Sequence, residues 1–185
     1  MADPFDFEKP ARYAVMGNPV AHSKSPRIHA LFAHQFRHHI EYTAIQVDAG
    51  GFAQAVEQFR ANGGAGLNIT VPFKQEAFKL ADHLSDRARI AQAVNTLRFE
   101  PDGRAFGDNT DGAGLVHDLE KNLGVQLKDK RILVLGAGGA VRGVLQPLLH
   151  RHPALIVVAN RTLSKARDLA GEFAHYGKVE ASGFK

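Results

Sequence analysis

The chain has 185 residues, 44% of them hydrophobic and 23% charged, with a formal net charge of +4. This composition excludes a disordered, collagen-like or coiled-coil chain, and the lack of cysteine excludes disulfides, thiolate metal sites and cysteine nucleophiles. Residues 1–110 hold 12 Lys/Arg against 12 Asp/Glu and residues 111–185 hold 11 against 7, so the positive excess lies in the second part. No Lys/Arg run or aromatic interleaving accompanies it. Nucleic acid is therefore not expected as a partner, and a phosphate-bearing small molecule fits the excess. Met1 to Arg12 carries Asp3, Asp6 and Glu8 and no apolar run, unlike a signal or transit peptide. No stretch approaches the roughly 18 apolar residues of a membrane span. The expectation is a cytoplasmic protein without a membrane partner, monomeric or homodimeric.

The elements are read by period. Tyr13 to Met16 is a short strand ending at the turn cluster Gly17-Asn18-Pro19. Ser25 as N-cap and Pro26 at the first position open a helix with Ile28, Leu31, Phe32 and Phe36 as its buried stripe. A strand from Glu41 to Val47, a helix from Phe52 to Asn62 and a strand from Leu67 to Val71 follow. Pro72 then leads into a helix with Phe73, Ala77, Phe78 and Leu84 inward. This β-α-β-α-β-α order predicts an open, mostly parallel sheet with covering helices. Val94 to Phe99 and Arg104 to Gly107 read as a hairpin on its edge.

Thr110 or Asp111 caps a helix with Leu115, Val116, Leu119 and Leu123 on one face, stopping at Gly124. That helix, 111–124, is the predicted connection between a first domain, 1–110, and a second, 125–185. Ile132 to Leu135 is an apolar run of the kind buried on both faces of a parallel sheet. Gly136-Ala137-Gly138-Gly139-Ala140 follows, then a helix to about His150, a strand from Leu155 to Ala159 and a helix from about Ser164 to Tyr176. The fold class is α/β: an open α/β substrate domain followed by the first half of a Rossmann-like dinucleotide-binding domain.

Glycines at 136, 138 and 139 between a strand and a helix let backbone N–H groups approach a pyrophosphate at the positive helix end. The spacing is G-x-G-G, with Val141 where a third spaced glycine would stand. A non-binding glycine turn would look the same in isolation, and the following strand is what favours a dinucleotide. At that strand's end an NAD enzyme would place Asp or Glu on the ribose hydroxyl; here stand Asn160, Arg161 and Thr162, with Lys165 a turn later. These groups attract a 2′-phosphate, which points to NADP.

In the first domain Ser23 and Ser25 flank Lys24 ahead of Pro26, so two hydroxyls and free N–H groups form an anion site, or a simple N-cap and turn. Lys74 lies in the first turn of its helix, where the dipole disfavours a cation by about 0.3–1 kcal/mol. It is either a working ammonium or an exposed lysine near a turn. Asn68 and Thr70 share a strand face just before it, at the strand's C-terminal end where open α/β sheets bind ligands. Asn95-Thr96 and Gly107 to Gly112 add amides, hydroxyls and acids. Asp111 reads as a helix cap or as the partner of Lys74 in holding an alcohol and moving its proton. The ten histidines, five of them between His22 and His39, show no metal-binding spacing and read as surface or helix residues.

Taken in order, Gly17 to Pro26, Asn68 to Lys74, Ala93 to Thr96, Gly107 to Gly112, Gly136 to Ala140 and Asn160 to Thr162 closely resemble the motifs of the shikimate dehydrogenase family. The resemblance implies NADP-dependent reduction of 3-dehydroshikimate to shikimate, a step toward chorismate and the aromatic amino acids. It implies that Ser23 and Ser25 bind the substrate carboxylate, that Thr70, Asn95 and Asp111 bind ring hydroxyls, and that Lys74 is the acid/base. It further implies a secondary substrate contact at Asn68 and an acid near the cofactor at Asp86, although Ser85-Asp86 equally reads as a helix start. The other readings are a quinate/shikimate dehydrogenase using NAD, against which Arg161 argues, and a non-catalytic ligand-binding module of the same fold. Family members are longer, so the resemblance also implies a truncated chain with poor or no activity and an exposed sheet edge.

Overall fold

A computed structural model describes residues 9–184; the acidic segment with Asp3, Asp6 and Glu8 lies outside them. The chain runs β1 (Ala11–Gly17), α1 (Ser25–Phe36), β2 (Ile40–Gln46), α2 (Phe52–Ala61), β3 (Gly64–Ile69), α3 (Lys74–Leu80), β4 (His83–Leu84), α4 (Asp86–Ala91), β5 (Thr96–Phe99) and β6 (Ala105–Asp108). It continues through α5 (Asp111–His117), β7 (Arg131–Leu135), α6 (Gly139–Leu149), β8 (Leu155–Ala159), α7 (Leu163–Phe173) and β9 (Val179–Ser182). Two sheets result, one of six strands in the order β2-β1-β3-β5-β6-β4 and one of three in the order β7-β8-β9. The first is parallel through β2, β1 and β3 and turns antiparallel at β5 and β6. The second is parallel throughout.

Alternation along the strands sends Ala14, Met16, Leu67, Ile69 and Leu97 to one face of the first sheet, where α2 and α3 cover them. Phe52, Val56 and Phe59 recur at helical spacing on α2, and the Phe52 ring stacks on Phe73 at 4.9 Å between centroids. Each such buried side chain stabilises the fold by about 1.5–3 kcal/mol. A second core joins Leu145, Leu148 and Leu149 of α6 and Leu169 and Phe173 of α7 to Ile156 and Val158 of β8.

Several expectations change. The stripe Ile28, Leu31, Phe32 and Phe36 is exposed, Phe36 at 64%, because α1 meets the sheet side through Ala33 while its apolar stripe has no element over it among the described residues. β7 is not buried on both faces: α6 and α7 cover one face of the three-stranded sheet, leaving Leu133 63% and Leu135 69% exposed. The helix read through Leu84 stops at Leu80, because His83 and Leu84 pair with β6 and thereby displace the hairpin from the sheet edge. Ser25 does not cap α1; instead the Ser23 hydroxyl accepts the Ser25 N–H at 3.2 Å. Neither Thr110 nor Asp111 caps α5 through its side chain, and a π turn at Asp118–Asn122 replaces its last turn, leaving Leu123 exposed. β3 begins three residues before Leu67 and ends at Ile69, and β9 follows α7 where the periodicity showed no strand.

The two sheets meet where α5 crosses α6. Pro147 inside α6 has no N–H to give the carbonyl of Gly143, and α5 closes on that carbonyl through Gly112. A Cβ at Gly112 would stand 2.4 Å from the Gly143 oxygen and 2.5 Å from Pro147. Backbone cannot yield there as a flexible side chain can, so Gly112→Ala is expected to cost about 1–3 kcal/mol, read as a lower midpoint in urea at unchanged slope.

Asp108 ties β6 to α4. The Arg87 guanidinium donates to both of its oxygens, Ser85 Oγ donates at 2.6 Å and the Asn109 N–H at 2.7 Å. The Arg87 bonds hold the carboxyl below the usual carboxylate range. A depressed folded value contributes stability above the unfolded value of about 3.9, and that contribution disappears as the pH falls through the folded one. Asp108→Asn should therefore lower the thermal midpoint by a constant amount between about pH 5 and 8, and the gap to the parent should shrink below about pH 4, followed by circular dichroism.

Candidate active site

At the C-terminal ends of β1 and β3 the chain leaves the sheet in opposite directions, opening a crevice between the loop before α1 and the start of α3. The crevice is a cavity of about 310 Å³. Ser23, Ser25, Asn68, Thr70, Lys74, Asn95 and Asp111 all line it, so seven residues drawn from four separate motifs come together.

Lys74 and Asp111 form its charged centre. Lys74 Nζ donates to Asp111 Oδ2 at 2.5 Å, with the two side chains 13% and 24% exposed. Lys74 is the first residue of α3, where the dipole opposes it, and Asp111 is the first of α5, where the dipole supports it. Asn95 Nδ2 donates to Asp111 Oδ1 at 2.8 Å, and Asn95 Oδ1 accepts the Thr110 N–H at 3.0 Å. Buried Asn109 sets the backbone beneath, donating to Ala93 O at 2.9 Å and accepting the Asp111 N–H at 3.2 Å. The carboxylate is thus fixed from the amide side and the ammonium side, and both face a cavity rich in neutral donors. This arrangement can orient an alcohol and move its proton.

At the opposite end, Ser23 accepts the Ser25 N–H and keeps its own hydroxyl proton for a ligand. His22, exposed, and His29, within α1, also line the cavity, a role beyond their reading as surface or helix residues. The periodicity carried no sign of this because both belong to a histidine-rich stretch. Tyr42 belongs to none of the motifs; its phenol donates to Asn68 Oδ1 at 2.6 Å, and burial pushes it up to about 12. Its signal is the two-residue alternation from Ile40, which sends Tyr42 to the α1 side of the sheet.

The glycine turn abuts this cavity. Gly136 adopts φ +110°, closed to most side chains, and Gly138 precedes the first turn of α6, which holds Gly139 and Ala140 and no acid. Ala137 packs on the second core. A Cβ at Gly139 would stand 3.3 Å from Lys74 Cβ, and a smaller cavity of about 190 Å³ runs between Thr70, Lys74 and Gly138 to Ala140. The turn therefore offers free N–H groups within reach of the ammonium's side chain. At the end of β8, Asn160 Nδ2 donates to Thr162 O at 2.9 Å, while Arg161, Thr162 and Lys165 are exposed around the start of α7. These residues suit a dinucleotide carrying an extra phosphate: open donors at a helix start, cations at the second strand and no acid beside them. Asp86 is not among the cavity residues. It begins α4 with Ser85 as the N-cap, is 93% exposed and pairs with Arg89 at 3.0 Å.

Among the described residues no group of three or more His, Asp or Glu is placed to hold a metal ion, and no helix is long and apolar enough to cross a membrane. Residues 15–97 match the family described as the shikimate dehydrogenase substrate binding domain, and residues 118–183 match shikimate / quinate 5-dehydrogenase. The NADP(+) shikimate dehydrogenase of Hahella chejuensis is 58% identical over 93% of this chain and 63% of its own. That of Cellvibrio japonicus is 59% identical over 93% and 62%. The shikimate 5-dehydrogenase of Thermus thermophilus, solved in complex with NADP(H) and shikimate, superposes with a TM-score of 0.81 at 37% identity over 91% of this chain and 62% of that one. The chain thus spans a little under two thirds of the length of these relatives. Two matches in the family's own order, the α/β architecture and relatives of this identity agree: the chain belongs to the shikimate dehydrogenase family.

Proposed function

We propose that the protein carries out the reversible, NADP-dependent reduction of 3-dehydroshikimate to shikimate, with Lys74 and Asp111 as its acid/base pair. The observation that carries this reading is the 2.5 Å Lys74–Asp111 contact inside a cavity of hydroxyls and amides, with the glycine turn against the stem of Lys74. A polyhydroxylated carboxylate needs an anion site, several neutral partners and one proton shuttle. Ser23 and Ser25 serve the carboxylate; Thr70, Asn95 and Asp111 serve the ring hydroxyls, with Asn68 as a further contact.

NADPH, when bound, supplies the hydride to the ketone carbon. Gly136 to Ala140 would hold its pyrophosphate, and Asn160, Arg161, Thr162 and Lys165 its 2′-phosphate; Asp86 would stand near the cofactor. Lys74 as ammonium stabilises the oxygen on which negative charge develops and passes it a proton. Asp111 holds that ammonium in place and remains a carboxylate opposite the neutral amine left behind. Reprotonation from solvent resets the pair.

Removing the proton donor should depress turnover more than binding. Lys74→Met is expected to lower kcat about 10²–10⁴-fold with a much smaller change in KM for shikimate, followed by NADPH absorbance. Unimpaired turnover in that variant would refute the assignment. Arg161→Ala should raise KM for NADP about tenfold or more while leaving that for NAD nearly unchanged, since one charge-assisted contact contributes about 1.5–3 kcal/mol. Turnover of quinate with NAD in preference to shikimate with NADP would favour the broader quinate/shikimate activity, and shikimate binding without any turnover would favour a binding module.

A further inference from the structure

Beyond the ion pair lies a line of hydrogen bonds that the proposed mechanism does not use. Tyr42 Oη donates to Asn68 Oδ1 at 2.6 Å, and Asn68 Nδ2 donates to Thr96 Oγ1 at 3.3 Å. Thr96 Oγ1 donates to Asn95 Oδ1 at 2.9 Å, Asn95 Nδ2 to Asp111 Oδ1 at 2.8 Å, and Lys74 Nζ closes the line on Asp111 Oδ2. We infer that Tyr42 and Thr96 are positioning residues of this cavity, the outer half of a one-way hydrogen-bond chain that orients the amides of Asn68 and Asn95 and through them Asp111. The inference deepens the reading of the cavity as a shikimate site and rests on it for its functional consequence.

The direction of every bond follows from one charge. A carboxylate only accepts, so Asn95 must turn its Nδ2 toward Asp111 and therefore its Oδ1 toward Thr96. The Thr96 hydroxyl must then donate to Asn95, leaving its lone pairs to Asn68 Nδ2. Asn68 Oδ1 is thereby turned to Tyr42, which has to donate. The phenol meets that demand because its buried hydroxyl stays protonated throughout the neutral range. His29 fixes the ring, stacking on Tyr42 at 4.1 Å with planes 12° apart and bonding Ser25 O through Nδ1 at 2.9 Å. The sheet supplies the spacing: Asn68 of β3 and Thr96 of β5 are direct cross-strand partners, and Tyr42 lies on the same face.

A consequence for recognition follows at Asn68. One hydrogen of its amide goes to Thr96 and the other points toward Asn95 O at 3.5 Å, while one lone pair of Oδ1 is held by Tyr42. What remains for a ligand is a single acceptor lone pair, so Asn68 selects a donor such as a ring hydroxyl.

The test uses the ¹⁵N-labelled 185-residue chain. Thr96→Val replaces the hydroxyl by a methyl and cuts the chain at its middle; Thr96→Ser keeps it, and Tyr42→Phe removes the terminal donor together with the phenol's bond to the Ser25 side chain. In Thr96→Val, the side-chain NH₂ signals of both Asn68 and Asn95 should shift and exchange faster with solvent, and the shikimate Kd by calorimetry should rise about tenfold. Thr96→Ser should restore all three readouts. Tyr42→Phe should disturb Asn68 first and Asn95 to a smaller degree. Disturbance confined to Asn68 in Tyr42→Phe, with Asn95 and shikimate binding unaltered in Thr96→Val, overturns the inference. Failure of the unsubstituted chain to bind shikimate would instead count against the substrate assignment, and the amide signals would still judge the hydrogen-bond chain.

Discussion

The ion pair between Lys74 and Asp111 is the constraint around which the two parts of this molecule are arranged. Each side chain is largely withdrawn from water, so in the resting pair each charge is stabilised by the other. Lys74 begins a helix that repels it and Asp111 begins one that welcomes it, and the attraction between them offsets the misplacement of the lysine. Since α3 belongs to the first sheet's cover and α5 crosses α6 of the second, closing this pair also fixes how the sheets face each other. Asn109, nearly inaccessible at 2%, locks the same junction from beneath through Ala93 O and the Asp111 N–H.

How much of this was legible in the sequence depends on whether the signal was local. The glycine turn, the strand–helix alternation and the crowding of polar residues at strand ends follow from short-range rules, and Lys74 stood out because it violates one of them. Asp111 was ambiguous between cap and partner; its distance to Lys74, 37 positions earlier, decides the matter and no local pattern encodes it. The exposure of α1 and β7 departs from their apolar patterns for the complementary reason. An apolar stripe states which face avoids water, but whether another element covers that face is a property of the whole chain. β9 leaves no periodic signal because Val179 to Ser182 is short and its pairing with β8 is remote.

The outer members of the hydrogen-bond chain share a feature. Tyr42 lies inside β2, and Thr96, read only as one of several polar groups around the hairpin, begins β5, where aromatic and β-branched residues are expected on propensity alone. Their polar atoms become informative only once the register of β2, β1, β3 and β5 sets them beside Asn68. Residues whose backbone role is satisfied by their type conceal any second role, whereas a lysine at a helix start or a glycine at positive φ advertises one.

The outer surface of β7 bears on how the protein behaves in bulk. Its backbone edge is unpaired among the described strands and two leucines stand outward from it, while Lys130 and Arg131 at its start carry like charge that resists edge-to-edge stacking of two molecules. Such repulsion is screened over about 8 Å at physiological ionic strength. Excluded salts such as sulfate strengthen the opposing apolar attraction. Among the described residues, the balance between this repulsion and the apolar attraction of Leu133 and Leu135 should thus shift with the kind and amount of salt.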